Sequence, residues 1–69
     1  MERKAVESTT MKSVGYDPCA ATLEIEFQSG TVYQYFHVPE RVYQELMAAD
    51  SKGEFFNKAI KGPYRYAKV

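Results

Sequence analysis

The sequence contains a single cysteine, Cys19, and no tryptophan. One cysteine forms no internal disulfide, which excludes the disulfide-rich class of small extracellular domains and is typical of a reducing compartment. Long hydrophobic runs are also absent, because charged residues interrupt the apolar stretches. We therefore expect neither a signal peptide nor a membrane-spanning helix, and we expect a cytoplasmic protein that does not associate with a membrane.

The chain is too short to contain a second hydrophobic core. Its 69 residues predict one domain, and the single core of a chain below about 70–80 residues seldom contributes more than about 3–5 kcal/mol. Four of the first seven residues are charged, which predicts a flexible N-terminal tail over residues 1–8. We expect the domain to occupy residues 9–69.

The formal net charge is zero, but the charges are unevenly distributed. Residues 1–51 contain four Lys or Arg and eight Asp or Glu, which gives −4. Residues 52–69 contain five Lys or Arg and one Glu, which gives +4. A basic end favours an anionic partner, while ordinary solvation of a short segment is the plainer alternative.

Three segments have the composition of β-strands. The first is MKSVGYDP, which ends in a turn formed by Asp17 and Pro18. The second is ATLEIEFQ, in which apolar residues alternate with Glu24 and Glu26, so we expect one buried face and one solvated face. The third is TVYQYFHV, after Ser29-Gly30. Together they predict a three-stranded antiparallel β-meander.

The third strand carries Tyr33 and Tyr35 on either side of Gln34, and the preceding loop decides which face they occupy. A two-residue loop pairs Phe27 with Val32 and turns both tyrosines to the solvated face. A three-residue loop with a bulge pairs Phe27 with Tyr33 and places both tyrosines in the core. An unpaired buried amide costs about 1–3 kcal/mol, so Gln34 favours the second alternative.

The hydrophobic period changes to that of a helix after the third strand. Pro39 suits a first helical turn, and an apolar stripe predicts a helix from about Pro39 to Ala49. That stripe consists of Val42, Tyr43, Leu46 and Met47.

A second short helix follows. Ser51 and Glu54 have the spacing of a capping box, and Gly62 with Pro63 ends the helix after about Lys61. The last residues, YRYAKV, alternate like a further extended strand. We predict an α+β domain in which the meander is followed by two short helices packed on one sheet face.

These segments resemble a known family. The runs SVGYDP, LEIEF, YQYFHVP and SKGEFFNKAIKGPY are similar to the KTSC domain, which is named for the C-terminus of some lysyl-tRNA synthetases and also occurs as small stand-alone bacterial proteins. The resemblance covers nearly all of the chain after the first eight residues, and Tyr33 and Tyr35 match the family's Tyr-x-Tyr. The family is uncharacterised in function. Its association with the synthetase implies RNA binding.

The basic end is the clearest candidate binding surface. Cationic side chains neutralise phosphates, and exposed tyrosines stack on bases. The candidate RNA-binding residues are Asn57, Lys58, Lys61, Tyr64, Arg65, Tyr66 and Lys68. Alternatively, Lys58 forms an ion pair with Glu54, and Tyr64 and Tyr66 complete the hydrophobic core. We regard Tyr33 and Tyr35 as structural. Even if a two-residue loop turned them to the solvated face, Glu24 and Glu26 on that face would repel phosphate.

Catalysis and metal binding have weak support. Cys19 and His37 are the only reactive pair, and the sequence offers no third group to orient them. One cysteine and one histidine also fall short of a zinc site. We therefore predict a non-catalytic binding module without a cofactor.

A second class of function is a protein-interaction or homodimerisation module. The sequence is 45% hydrophobic on a small frame, and an edge strand of the sheet is available for pairing with another chain.

Overall fold

A computed structural model describes residues 1–69 and shows five strands and two helices. The strands are β1 (Lys4–Ala5), β2 (Met11–Asp17), β3 (Thr22–Phe27), β4 (Val32–Tyr35) and β5 (Tyr66–Lys68), and the helices are α1 (Glu40–Ala48) and α2 (Lys52–Ala59).

All five strands form one sheet in the order β1-β2-β3-β4-β5, and each neighbouring pair is antiparallel. The predicted α+β class and the two helices are confirmed. The sheet has five strands instead of the three of the predicted meander, because a strand is added at each edge: the C-terminal one was anticipated in the sequence, and the N-terminal strand β1 was not. The added strand at the C-terminal edge is the extended segment YRYAKV, of which Tyr66–Lys68 pairs with β4.

The N-terminal segment lies on the sheet. Lys4 pairs with Val14 and Ala5 with Ser13, so part of the segment expected to form a tail is the edge strand β1. Gly15 permits this approach, because a Cβ atom at that position would lie 2.6 Å from the backbone oxygen of Glu2. The strand has no sequence signal, because its two residues, Lys4 and Ala5, are too few to show hydrophobic alternation.

The loop between β3 and β4 sets the face of the tyrosines. The Phe27 N–H donates to the carbonyl of Thr31 at 2.9 Å, and Gly30 takes a positive φ of 91°, a conformation that glycine adopts without steric cost. Ile25 therefore pairs with Tyr33. The prediction that the tyrosines occupy the core face is confirmed, but the predicted pairing of Phe27 with Tyr33 is wrong by two residues.

The helices begin and end close to the predicted positions. Pro39 caps α1 rather than lying in its first turn. At α2 the Ser51 hydroxyl accepts a hydrogen bond from the Glu54 N–H at 3.3 Å, which is one half of the predicted capping box. Both helices pack on the sheet through a core of ten buried apolar residues: Met11, Val14, Leu23, Ile25, Tyr35, Val38, Val42, Leu46, Phe56 and Ile60.

The opposite sheet face is less solvated than expected. Glu24 is only 6% exposed, and its carboxylate accepts hydrogen bonds from the Arg3 guanidinium and, at 2.8 Å, from the Gln34 amide. The hydrogen bond from Gln34 is the leading cause that holds the pKa of Glu24 below its usual value, and the hydrogen bond and charge of Arg3 act in the same direction. The predicted solvated role of Glu24 is therefore wrong, because Arg3 covers it.

Candidate nucleic-acid interface

An open groove lies beside the C-terminal half of α2, on the core face of the sheet near β5. Its volume is about 420 Å³, which is within the range of about 300–1,000 Å³ typical of ligand sites. We call it the aromatic groove. It is lined by Phe27, Ser29, Thr31, Tyr33, Tyr35, Phe56, Lys61 and Tyr66.

The five rings of the groove are in mutual contact. Phe56 lies 5.4 Å from Phe27 and 5.5 Å from Tyr35, measured between ring centroids. Tyr66 lies 5.6 Å from Tyr33 and 5.7 Å from Tyr35. Most of these pairs are edge-to-face, which is a favourable geometry for aromatic side chains. The rings therefore form a continuous aromatic surface from α2 to β5.

The groove has a buried floor and an exposed rim. Tyr35 is 4% exposed, whereas Tyr66 is 60% exposed. The Tyr35 hydroxyl makes no hydrogen bond within the protein, yet no buried side-chain polar atom lacks a partner. The oxygen atom therefore keeps some solvent access, and the hydroxyl is available as a donor and an acceptor in the groove.

Burial raises the pKa of Tyr35 to about 12, and the neighbouring Tyr33 and Tyr66 phenols contribute in the same direction. Since this pKa is above the ordinary tyrosine value of 10.0, the stabilisation by neutral Tyr35 is complete below pH 10 and is lost as the pH rises towards 12. We expect the free energy of unfolding of the wild type to fall relative to Tyr35→Phe over this interval. Urea unfolding at both ends of the interval measures the difference, and parallel curves for the two proteins would contradict it.

Two lysines flank the aromatic surface. Lys61 lines the groove, and Lys68 pairs with Tyr33 across β4 and β5, so the two side chains share a sheet face. The ion pairs of the structure join Arg3 to Glu24 and Glu26 and Arg41 to Glu45. Lys61 and Lys68 thus have no carboxylate partner.

The structure brings only some of the predicted RNA-binding residues together. Lys61 and Tyr66 line the groove, and Lys68 lies beside it. Asn57 and Lys58 are exposed on α2 outside the groove lining.

The two remaining candidates serve the fold as well. Tyr64 is half-buried against the core. The Arg65 carbonyl accepts a hydrogen bond from the Phe36 N–H at 2.9 Å, while its side chain is exposed. The alternative explanation required an ion pair between Lys58 and Glu54. No nitrogen–oxygen distance between these two side chains is 4.0 Å or less, so the pair is not formed.

The carboxylates of β3 do not share a face with the tyrosines. Glu24 pairs with Gln34, and Tyr35 pairs with Leu23, so the alternation of a strand puts Glu24 and Tyr35 on opposite faces. The repulsion of phosphate by these glutamates was expected only for the two-residue loop, which the structure does not have. Tyr33 and Tyr35 belong to the core face and also line the groove.

Sequence reasoning did not identify four residues of the groove, namely Phe27, Ser29, Thr31 and Phe56. Phe56 belongs to the buried core and Phe27 packs against it, so both also have a structural role. Ser29 was treated only as part of the Ser29-Gly30 turn, and Thr31 only as the start of the third strand. The groove forms between α2 and the edge strand β5, which only the tertiary fold brings together. No periodic signal in the sequence indicates such a groove.

The remaining reactive residues are not assembled into a site. Cys19 and His37 are both exposed, and no hydrogen bond joins them. No cluster of three or more His, Cys, Asp or Glu side chains is positioned to hold a metal ion. No helix has the length and hydrophobicity required to cross a bilayer.

The chain is similar to several known proteins. An uncharacterized protein from Stutzerimonas stutzeri is 46% identical over 70 residues, which cover 100% of this chain and 99% of that protein. A lysine–tRNA ligase from Nostoc sp. is 44% identical over 63 residues, which cover 91% of this chain but only 11% of the ligase.

Structure and sequence profile lead to the same family. The crystal structure of a KTSC domain protein from Yersinia pestis superposes with a TM-score of 0.96 at 46% identity, over 99% of this chain and 96% of that chain. The profile of the KTSC domain matches residues 7–68. These matches confirm the resemblance found in the sequence motifs, and the chain belongs to the KTSC domain family.

Proposed function

We propose that this protein is a small non-catalytic module that binds RNA through its basic C-terminal segment, at and around the aromatic groove. The observation that carries the proposal is the pair of unpaired lysines, Lys61 and Lys68, beside a surface of five aromatic rings. Ammonium groups neutralise phosphates and aromatic rings stack on bases, so the two features together suit a nucleic acid.

The occurrence of the domain in larger proteins supports the same choice. The Nostoc relative is named as a ligase of lysine and tRNA, and the KTSC-like segment is a minor part of it. A small module attached to such an enzyme is well placed to contribute RNA affinity. We therefore include a tRNA among the RNA probes.

Binding should be weak and dependent on salt. With three or four phosphate contacts, the logarithm of the affinity should fall with the logarithm of the salt concentration at a slope of roughly −2 to −4. Lys61→Glu combined with Lys68→Glu should weaken binding at least about tenfold and make the slope shallower by about 2, since each lost phosphate contact removes about 1. Fluorescence anisotropy with labelled tRNA and single-stranded RNA, from low salt upwards, measures both quantities.

The matched control is Lys12→Glu combined with Arg41→Glu, which changes the net charge equally at exposed positions outside the C-terminal segment. The control should retain most of the affinity. No binding at low salt, or an equal loss in both double variants, would reject the proposal, because the effect would then be absent or merely a result of net charge.

The alternative function is association with a protein or with a second copy. The edge strands offer little support for it, because β1 contains two residues and β5 contains three, and short edge strands limit pairing between chains. Light scattering over a range of concentrations distinguishes the two functions. A concentration-dependent mass without RNA binding would favour the alternative.

A further inference from the structure

We infer that the aromatic groove binds one unpaired base of a single-stranded RNA, with the adjoining phosphates against Lys61 and Lys68. This inference rests on the RNA binding proposed above and specifies the class of RNA. It assigns the base contact to the groove residues and the phosphate contacts to the two lysines.

The shape and the exposure of the rings support a stacking site. The groove is open, and Tyr66 at its rim is 60% exposed although it contacts Tyr33 and Tyr35. An exposed ring that packs against two other rings is positioned to stack on a flat ligand without rearranging the core. Phe56 closes the other side of the groove, where α2 crosses the sheet.

The charge of the residues that line the groove favours an anionic ligand. It contains one ammonium group, on Lys61, and no carboxylate. A methylated ammonium or another cation would find aromatic rings there, but also an unopposed positive charge. An aromatic ligand that carries a negative charge, as a nucleotide does, complements both the rings and Lys61.

Uncharged hydroxyls supply hydrogen bonds at the floor and mouth of the groove. The Tyr35 hydroxyl is free of protein partners, and Ser29 and Thr31 contact each other through their hydroxyls at 3.2 Å. Groups that both donate and accept can pair with the edge of a base. Base edges and faces are accessible in unpaired segments, whereas in duplex RNA the bases are stacked inside the helix. The groove therefore favours single strands over duplexes.

The test compares a labelled single strand of about ten nucleotides with a duplex of the same length, at one low salt concentration. The wild type should prefer the single strand. Tyr66→Leu should weaken single-strand binding about 5- to 140-fold, which is the effect of losing one stacked base, and should leave duplex binding unchanged. Tyr66→Phe retains the ring and should retain the affinity.

Two control measurements show whether the effect depends on the groove and on the presence of a base. Tyr43→Leu removes a half-buried tyrosine that stacks on Tyr16 outside the groove, and it should leave single-strand binding unchanged. A labelled poly-glutamate peptide of similar charge should bind at least about tenfold more weakly than the RNA, because it has no base to stack.

Equal affinities for single strand and duplex, an unchanged affinity of Tyr66→Leu, or equally tight binding of the peptide would each overturn the inference. If one of these results is accompanied by a loss of binding in the Lys61→Glu, Lys68→Glu variant, only the base site fails and the proposed RNA binding stands. If neither RNA binds the wild type, both fail.

Discussion

Replacing Arg3 with methionine is expected to lower the free energy of unfolding by about 3 kcal/mol, the lower end for breaking a buried ion pair. Glu24 is 6% exposed, so its carboxylate would lose a guanidinium partner and could not regain full hydration. Gln34 would still donate one hydrogen bond to it, which is why we expect the lower end. Because a core of this size contributes about 3–5 kcal/mol, the loss is comparable with the whole stability.

Urea unfolding of Arg3→Met at neutral pH, followed by circular dichroism, measures this loss. Arg41→Met is the matched control, because Arg41 and Glu45 form an exposed pair one helical turn apart, 3.7 Å between the closest atoms, and such pairs contribute about 0.3–0.5 kcal/mol. If the two variants lost equal stability, the contact between Arg3 and Glu24 would contribute no more than an exposed ion pair.

The effect of Arg3→Met should also depend on pH. The pKa of Glu24 is lowered in the folded protein, so the stabilisation is present above the pKa of the unfolded chain and is lost as the pH falls through the lower folded value. The difference between wild type and Arg3→Met should therefore shrink in acid. A difference that grew in acid would contradict the assignment.

Replacing Ile60 with alanine is expected to cost about 2–5 kcal/mol, the range for truncating a buried aliphatic side chain. Ile60 has no exposed surface, and its N–H donates to the Phe56 carbonyl at 3.0 Å at the end of α2. The residue thus fixes the end of the helix from which Lys61 reaches the groove. The cavity left by alanine would lower the free energy of unfolding and would also make the end of α2 less firmly packed.

The conservative control is Ile60→Val, which should cost about 0.5–1.5 kcal/mol. Thermal and urea unfolding compare the two variants. A cost for alanine no greater than that for valine would mean that the end of α2 repacks without Ile60, and that the groove does not depend on this contact.

The helices were predictable because their signals are local. The stripe that includes Val42 and Leu46 identifies α1, and the Ser51 hydroxyl caps α2 as its spacing with Glu54 indicates. Such signals depend on residues within one or two turns of each other. The bounds of both helices therefore followed from the sequence to within one or two residues.

The edges of the sheet and the site were harder to predict because they depend on distant contacts. The residues before β1 contact Gly15 and Glu24, which lie in other strands, and no local pattern in the first residues indicates pairing. The face of Tyr33 and Tyr35 followed correctly from the polarity of Gln34. Their position in the lining of the groove did not follow from the sequence, because it depends on the pairing of β5 with β4.

The most direct test of the account is a titration of ¹⁵N-labelled protein with single-stranded RNA, followed by amide chemical shifts. The account predicts that the largest shifts occur at Thr31, Lys61, Tyr66 and Lys68, and that they diminish as salt is added. Shifts concentrated around Arg3 and Glu24 on the opposite face, or no shifts at low salt, would contradict it.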